Sequence, residues 1–181
     1  MTTRAALLRR EGTARDGRAF LVRPTRSDDA PALVALHDAV AAEGGLIAAV
    51  PGERSAVEEE LMLSTLLSSG GLALTLLVDD AVAGQCLVSR RLDPERAHIG
   101  EVAIVVSNTS RGVGLGRLLM EIAMEWSRAV GLEKLSLSVF PSNERAIALY
   151  RSLGFVDDGH RLHQVVLPSG PHDLLVMGLR L

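Results

Sequence analysis

Cysteine, aromatic side chains and long apolar runs are all scarce in this chain. A single cysteine among 181 residues excludes an intramolecular disulfide framework and any cysteine-rich zinc cluster. His160 and His163, three apart in a predicted strand, point to opposite faces, so no metal site is expected. Tyr and Trp occur once each, with three Phe as the only other aromatics. The most apolar stretches, such as 71–78, are strand-length and end at charges, far short of the roughly 20 residues a spanning helix needs. The positive mean hydropathy of +0.24 therefore signals a core and not a membrane partner. Leu7 and Leu8 run at once into Arg9, Arg10 and Glu11, without the apolar centre of a signal peptide, so a cytoplasmic location is expected. A net charge of −3 and a pI near 5.9 make no case for nucleic acid as a partner.

What is present is a chain 48% hydrophobic and 23% charged, long enough to bury a core and too apolar to stay disordered. There is no internal repeat, low-complexity tract or domain-separating linker. Basic residues crowd the start, at Arg4, Arg9, Arg10, Arg15, Arg18, Arg23 and Arg26, which reads as a solvated arm or as a surface for an acidic partner. Residues 1–16 are taken as that arm and 17–181 as one domain. A strand over 19–23 is followed by Ser27 as an N-cap, then a helix carrying Leu33, Leu36, His37 and Val40 and stopped by Gly44 and Gly45. Ser55 is placed to cap a second helix whose acidic first turn, Glu58 to Glu60, suits the dipole. Strands over 72–78 and 82–89 form a hairpin around Asp79 and Asp80. A strand over 98–106, a helix over 114–130 and a strand over 135–139 make a β-α-β unit with parallel strands. A helix over 143–152 and strands over 162–167 and 174–181 complete the chain. Trp126, Met120 and Met124 sit at spacings of core packing on the long helix.

The most informative segment is Arg111-Gly112-Val113-Gly114-Leu115-Gly116-Arg117, between a strand and an amphipathic helix. Glycines there let a ligand approach the backbone, and the unpaired N–H groups of the first helical turn favour an anion such as pyrophosphate. A P-loop would end in Gly-Lys-Ser or Gly-Lys-Thr, and a dinucleotide fingerprint would have a third glycine where Arg117 stands. Neither pattern is met. No Gly-x-Ser-x-Gly elbow occurs, and Cys86, mid-strand with no basic neighbour at a helix start, reads as an inert core thiol.

The remaining pattern, Arg-x-x-Gly-x-Gly, resembles the pyrophosphate turn of the GNAT superfamily of acyl-CoA-dependent N-acyltransferases. Asn143-Glu144-Arg145-Ala146-Ile147-Ala148-Leu149-Tyr150, followed by Leu153-Gly154-Phe155, is similar to the second half of that family's signature. Two motifs in the right order and separation are stronger than either alone. The specific part of the likeness covers 101–155. It implies an α/β domain with a mixed, mostly antiparallel seven-stranded sheet and about four helices. Its central parallel pair splays apart so that the pantetheine arm of acetyl-CoA enters like an extra strand. By this resemblance, backbone groups of Ile104, Val105 and Val106 pair with pantetheine. The turn Arg111, Gly112, Val113, Gly114, Leu115, Gly116 and Arg117 holds the pyrophosphate, and Asn143 fixes the cofactor or the helix start.

Acyl transfer from a thioester to an amine needs a neutral amine, a stabilised oxyanion and a proton for the leaving thiolate. An alkyl ammonium near pKa 10.4 must lose a proton first, so a carboxylate base is expected. Glu101 is the first choice and His98 a weaker one, while the alternative for Glu101 is an ordinary salt-bridged or solvent-facing strand residue. The amide of Val105 or Val106 is the oxyanion donor. Tyr150 is the acid toward the thiolate, an uphill transfer of about 2 kcal/mol between ordinary phenol and thiol pKa values. The acceptor is an amine, either a small molecule or a peptide or protein N-terminus or lysine, bound between the loop at 43–53 and the turn at 168–172. A non-catalytic acyl-CoA-binding module stays open as the alternative, as does a homodimer.

Overall fold

Leu, Val, Ala and Ile fill the strand-forming runs, and their alternation with four helical stretches produces one mixed sheet with helices on both faces. The computed structural model describes residues 8–181; Arg4 and the rest of the first seven residues of the expected arm lie outside the described residues. The strands are β1 (Arg10–Thr13), β2 (Ala19–Pro24), β3 (Leu72–Val78), β4 (Ala81–Arg90), β5 (Ile99–Val106), β6 (Lys134–Val139), β7 (Val156–Leu167) and β8 (Gly170–Arg180). The helices are α1 (Ala30–Ala42), α2 (Ala56–Ser68), α3 (Leu115–Ala129) and α4 (Glu144–Ser152). The eight strands lie in the order β1-β2-β3-β4-β5-β6-β8-β7, and every neighbouring pair is antiparallel except β5 with β6.

Eight strands stand where the family likeness gave seven. The extra one, β1, falls inside the stretch read as an arm and pairs with β2, Arg10 opposite Val22 and Thr13 opposite Ala19. Its four residues, Arg-Glu-Gly-Thr, are mostly exposed and show no apolar alternation, so periodicity gives no sign of it. The opening arginines are also less solvated than read. Arg10 reaches Glu125 on α3 at 2.9 Å, Arg18 reaches Asp16 and the Thr109 carbonyl, and Arg23 is buried. β7 begins six residues before its expected start, because Val156 to Arg161 form an exposed edge strand without an alternating pattern.

Ser27 is not the cap of α1. Residues 27–29 form a 3-10 turn, and the buried Asp29 organises the helix start, accepting the Arg26 N–H at 2.9 Å, two bonds from Arg23 at 2.7 Å each and one from Thr75 at 2.9 Å. Ser55 does cap α2, in a reciprocal box with Glu58. The core has two parts. Leu33, Leu36 and Val40 of α1 pack with Leu63 and Leu66 of α2 and with Val105 on one face of the sheet. On the other, Leu119, Met120 and Ile122 of α3 join Ile147 and Tyr150 of α4 against Leu74, Cys86 and Leu135. No helix among the described residues is long and apolar enough to cross a membrane.

Candidate active site

The parallel pair opens after three residues. Ile99, Gly100 and Glu101 face Lys134, Leu135 and Ser136, and from Val102 onward β5 has no partner on that side, while β6 stays bonded to β8 as far as Val139 opposite Leu175. A cavity of about 620 Å³ fills the gap, lined by Val102 to Val106 on one wall and Ser138, Val139 and Phe140 on the other. Strand geometry decides which backbone groups look into it. The Ser107 N–H bonds the Ala83 carbonyl on β4, and the Val105 carbonyl also points to β4, toward Gly84. Because successive residues alternate sides, Ile104 and Val106 turn their N–H and C=O groups to the gap and Val105 turns its own away. Of the two amides expected to serve an oxyanion, that of Val106 faces the gap.

The glycine turn closes one end of the cavity. Gly112 (φ +82°) and Gly114 (φ +95°) occupy the left-handed region, where a side chain is strained, and a Cβ on Gly112 would come 2.8 Å from an Arg145 guanidinium nitrogen. Gly114 is the N-cap of α3, whose first-turn amides are left open before Leu118 begins the helical ladder on the Gly114 carbonyl. Val113 and Leu115 turn inward to pack, so their contribution is backbone. Arg117 bonds Ser152 at 2.6 Å. Arg111 is held from two sides, donating to the Val106 carbonyl at 2.9 Å and bidentately to Glu43 at 2.7 and 2.8 Å, so it clasps the end of α1 to the turn. Arg15 and Arg145 also line this end and have no hydrogen-bond or ion-pair partner among the described residues. Neither was picked out in the sequence: Arg15 belonged to the arm, and Arg145 was an unmarked position inside a helix motif.

Asn143 caps α4, its Oδ1 accepting the Ala146 N–H at 3.2 Å. Two turns on, Tyr150 lies 7% exposed against Phe155, with ring centroids 5.9 Å apart. Its hydroxyl makes no hydrogen bond among the described residues and is not a buried orphan, so it opens into the cavity that the residue lines. Burial, and secondarily Cys86, push the phenol well above its ordinary value. The uphill step expected for a phenol of ordinary acidity is therefore larger, and the group stays protonated at neutral pH. Cys86 is fully buried, and burial alone raises its thiol to about 12, which keeps it out of nucleophilic chemistry.

Glu101, like the inward-packed Val113 and Leu115, does not line this cavity. It is exposed beside a second cavity of about 350 Å³, with Ser136, Lys134 and His160, and its nearest cation is Arg91 at 3.9 Å. It shares a sheet face with Val105, about 13 Å along the strand. His98 is exposed and lines neither cavity. On the α1–α2 side, by contrast, a chain of polar groups reaches the main cavity: Arg54 donates to Glu59 at 2.8 Å, Gln85 donates to Glu59 at 3.0 Å, and the Gln85 oxygen meets His37 Nε2 at 2.8 Å. Glu59 and Gln85 are essentially inaccessible, and His37 lines the cavity. Its one signal in the sequence is a histidine set among Leu33, Leu36 and Val40 on the buried stripe of α1.

A strand edge left open over a long cleft, with backbone amides and arginines at one end, offers room and donors for an extended anionic ligand. The chain belongs to the GNAT acetyltransferase family, whose sequence model matches residues 35–155 and whose reaction is acetyl transfer from acetyl-CoA. It is 34% identical over 108 residues to the ribosomal protein bS18-alanine N-acetyltransferase of Salmonella typhimurium, covering 60% of this chain and 70% of that one. It is 38% identical over 65 residues to the spermidine N(1)-acetyltransferase of Escherichia coli, covering 35% of each. A solved GNAT acetyltransferase from Streptococcus pneumoniae superposes with a TM-score of 0.80 at 28% identity, over 90% of this chain and 99% of that one.

Proposed function

We propose that this protein transfers the acetyl group of acetyl-CoA to a primary amine by direct attack in a ternary complex. The observation that carries the reading is the gap beyond Glu101, where both backbone groups of Ile104 and the N–H of Val106, whose carbonyl is held by Arg111, face the opening in line with the open amides of Gly112 to Arg117. Those groups suit pantetheine and pyrophosphate respectively, with Arg15 and Arg145 free to meet phosphate charge. The Val106 amide stabilises the oxyanion, and the Tyr150 hydroxyl gives its proton to the departing sulfur. Asn143 holds α4 so that Tyr150 keeps its position. Glu101, on the acceptor's side of the sheet but far along the strand, takes the ammonium proton through water or draws in cationic acceptors.

The acceptor is a small amine or a protein N-terminus; the Salmonella and Escherichia relatives, named for an alanine N-terminus and for spermidine, support both. Release of free thiol from acetyl-CoA is the test, measured across polyamines, amino acids, aminoglycosides and peptides with free N-termini. Turnover with any of them supports the reading. Tight CoA binding without turnover favours a sensing module, and no binding at all overturns the assignment of the cleft. Arg145→Ala is expected to weaken CoA binding by about tenfold, the scale of one charge-assisted hydrogen bond, and to flatten its salt dependence; calorimetric titration at two ionic strengths checks both.

A further inference from the structure

The chain Arg54–Glu59–Gln85–His37 has a direction. Glu59 is fully buried and accepts from both Arg54 and Gln85, as an ionised carboxylate does. Its hold on the Gln85 amino group fixes which way that amide points, with the carbonyl oxygen toward His37. An oxygen facing a ring nitrogen requires that nitrogen to carry the hydrogen. His37 is thereby set as the Nε2–H tautomer, and its Nδ1 keeps a lone pair. Nδ1 makes no hydrogen bond among the described residues, and it is not a buried orphan, so it is open where His37 lines the cavity.

Its location also suits a defined task. Gln85 is the cross-strand partner of Val105, next to Val106, whose amide faces the gap. Val105 packs with the α1–α2 cluster and Tyr150 with the α3–α4 cluster, so His37 and Tyr150 approach the gap from opposite faces of the sheet. A thioester lying between them has its incoming nitrogen on one side and its leaving sulfur on the other.

We propose that His37 is the base that takes the acceptor's proton, with Gln85 and Glu59 as positioning residues that fix its tautomer. This rests on the acetyltransferase reading and gives to His37 the proton that Glu101 would otherwise take through water, leaving Glu101 to draw in cationic acceptors. Nδ1 removes a proton from the ammonium, the neutral nitrogen forms the C–N bond, and the C–S bond breaks as Tyr150 protonates the sulfur. Of the three ammonium protons one stays on the amide, one balances that given to the thiol, and one leaves to solvent from His37. The charged groups around the imidazole are Arg54 and Glu59 from the α2 side, Arg111 and Glu43 at the mouth of the cavity, and Asp38 on its own helix, the last engaged by the Gly52 amide at 2.9 Å. From β5 the nearest is Glu101, about 13 Å from Val105 along the strand.

His37→Gln tests the proposal, because the glutamine amino group can still donate to Gln85 while no titrating nitrogen remains. With an amine that the wild type acetylates, kcat/KM at pH 7 is expected to fall about 100-fold or more, with unchanged CoA affinity. The acidic limb of the wild-type pH profile should disappear, and the deficit should shrink to below about tenfold at pH 9.5, where the amine deprotonates itself. Gln85→Met, which releases the tautomer, should lower kcat and leave the KM for acetyl-CoA in place. A His37→Gln enzyme that keeps its rate and its acidic limb overturns the proposal, and so does a limb that vanishes in Glu101→Gln instead. An equal deficit at pH 7 and 9.5 overturns it as well, in favour of a packing role. Failure of the wild type to bind CoA or turn over any amine strikes the acetyltransferase reading itself, a separate outcome from these.

Discussion

Tyr150→Phe is expected to lower kcat by about 100- to 10,000-fold while leaving CoA affinity and thermal stability nearly unchanged. The hydroxyl has no hydrogen-bond partner among the described residues and opens into the cleft, so removing it costs the fold little. The ring keeps its place against Phe155 and in the α3–α4 core. What is lost is the only phenol in the chain. Burial raises its pKa, so it remains protonated across the neutral range and its loss should not shift the pH profile. Steady-state rates, CoA titration and a melting curve together separate this outcome from misfolding. A variant with kcat within about threefold of wild type removes Tyr150 from the mechanism.

Asp29→Ala is expected to destabilise the fold by about 3–5 kcal/mol, because it leaves the buried Arg23 guanidinium without its partner. For a chain of this size that lowers Tm by on the order of 10 °C. The loss bears on activity too, since Asp29 fixes the start of α1, the helix that carries His37. Replacing both partners together, Arg23→Met with Asp29→Leu, should recover much of the stability, because the penalty is an unpaired buried charge more than a lost attraction. The wild-type pair also sets an acid limit. Burial by itself would raise the Asp29 pKa, but hydrogen bonds from Arg23, the Arg26 amide and Thr75 outweigh it, and the net shift is downward. A depressed carboxylate stabilises the folded state above its unfolded pKa of about 3.9, and that contribution disappears as pH falls through the lower folded value. Unfolding titrations from pH 6 to pH 2 should show wild type losing its advantage over Asp29→Ala below about pH 4.

The elements marked in the sequence are those with local punctuation. Gly44 and Gly45 end α1, Ser55 with Glu58 opens α2, and the glycines from 112 to 116 announce the turn before α3. Elements without such marks were missed: β1 and the first half of β7 are exposed edge strands held by pairing alone. Glu59 was legible only as one of three acidic residues in a helical turn, because a sequence does not say which of them meets Gln85 inside the molecule. Arg15 and Arg145 lie far apart in the chain and come to the same turn only through β1, β2 and α4 packing around it. Glu101 illustrates the reverse case. It was chosen for its chemistry and its strand, whereas its placement beside Arg91 and Ser136 depends on where the parallel pair separates.

The sequence by itself determined the family, the glycine turn before α3 and the capped helix bearing Tyr150, since each depends on residue types at fixed short spacings, and its single cysteine left no disulfide within the chain. Only the tertiary structure decided that β5 and β6 part after Glu101, that Val106 and not Val105 turns its amide to the gap, and that the buried Glu59 reaches His37 through Gln85. Those outcomes follow from pairing and packing between residues remote in the chain, whose geometry no local pattern encodes.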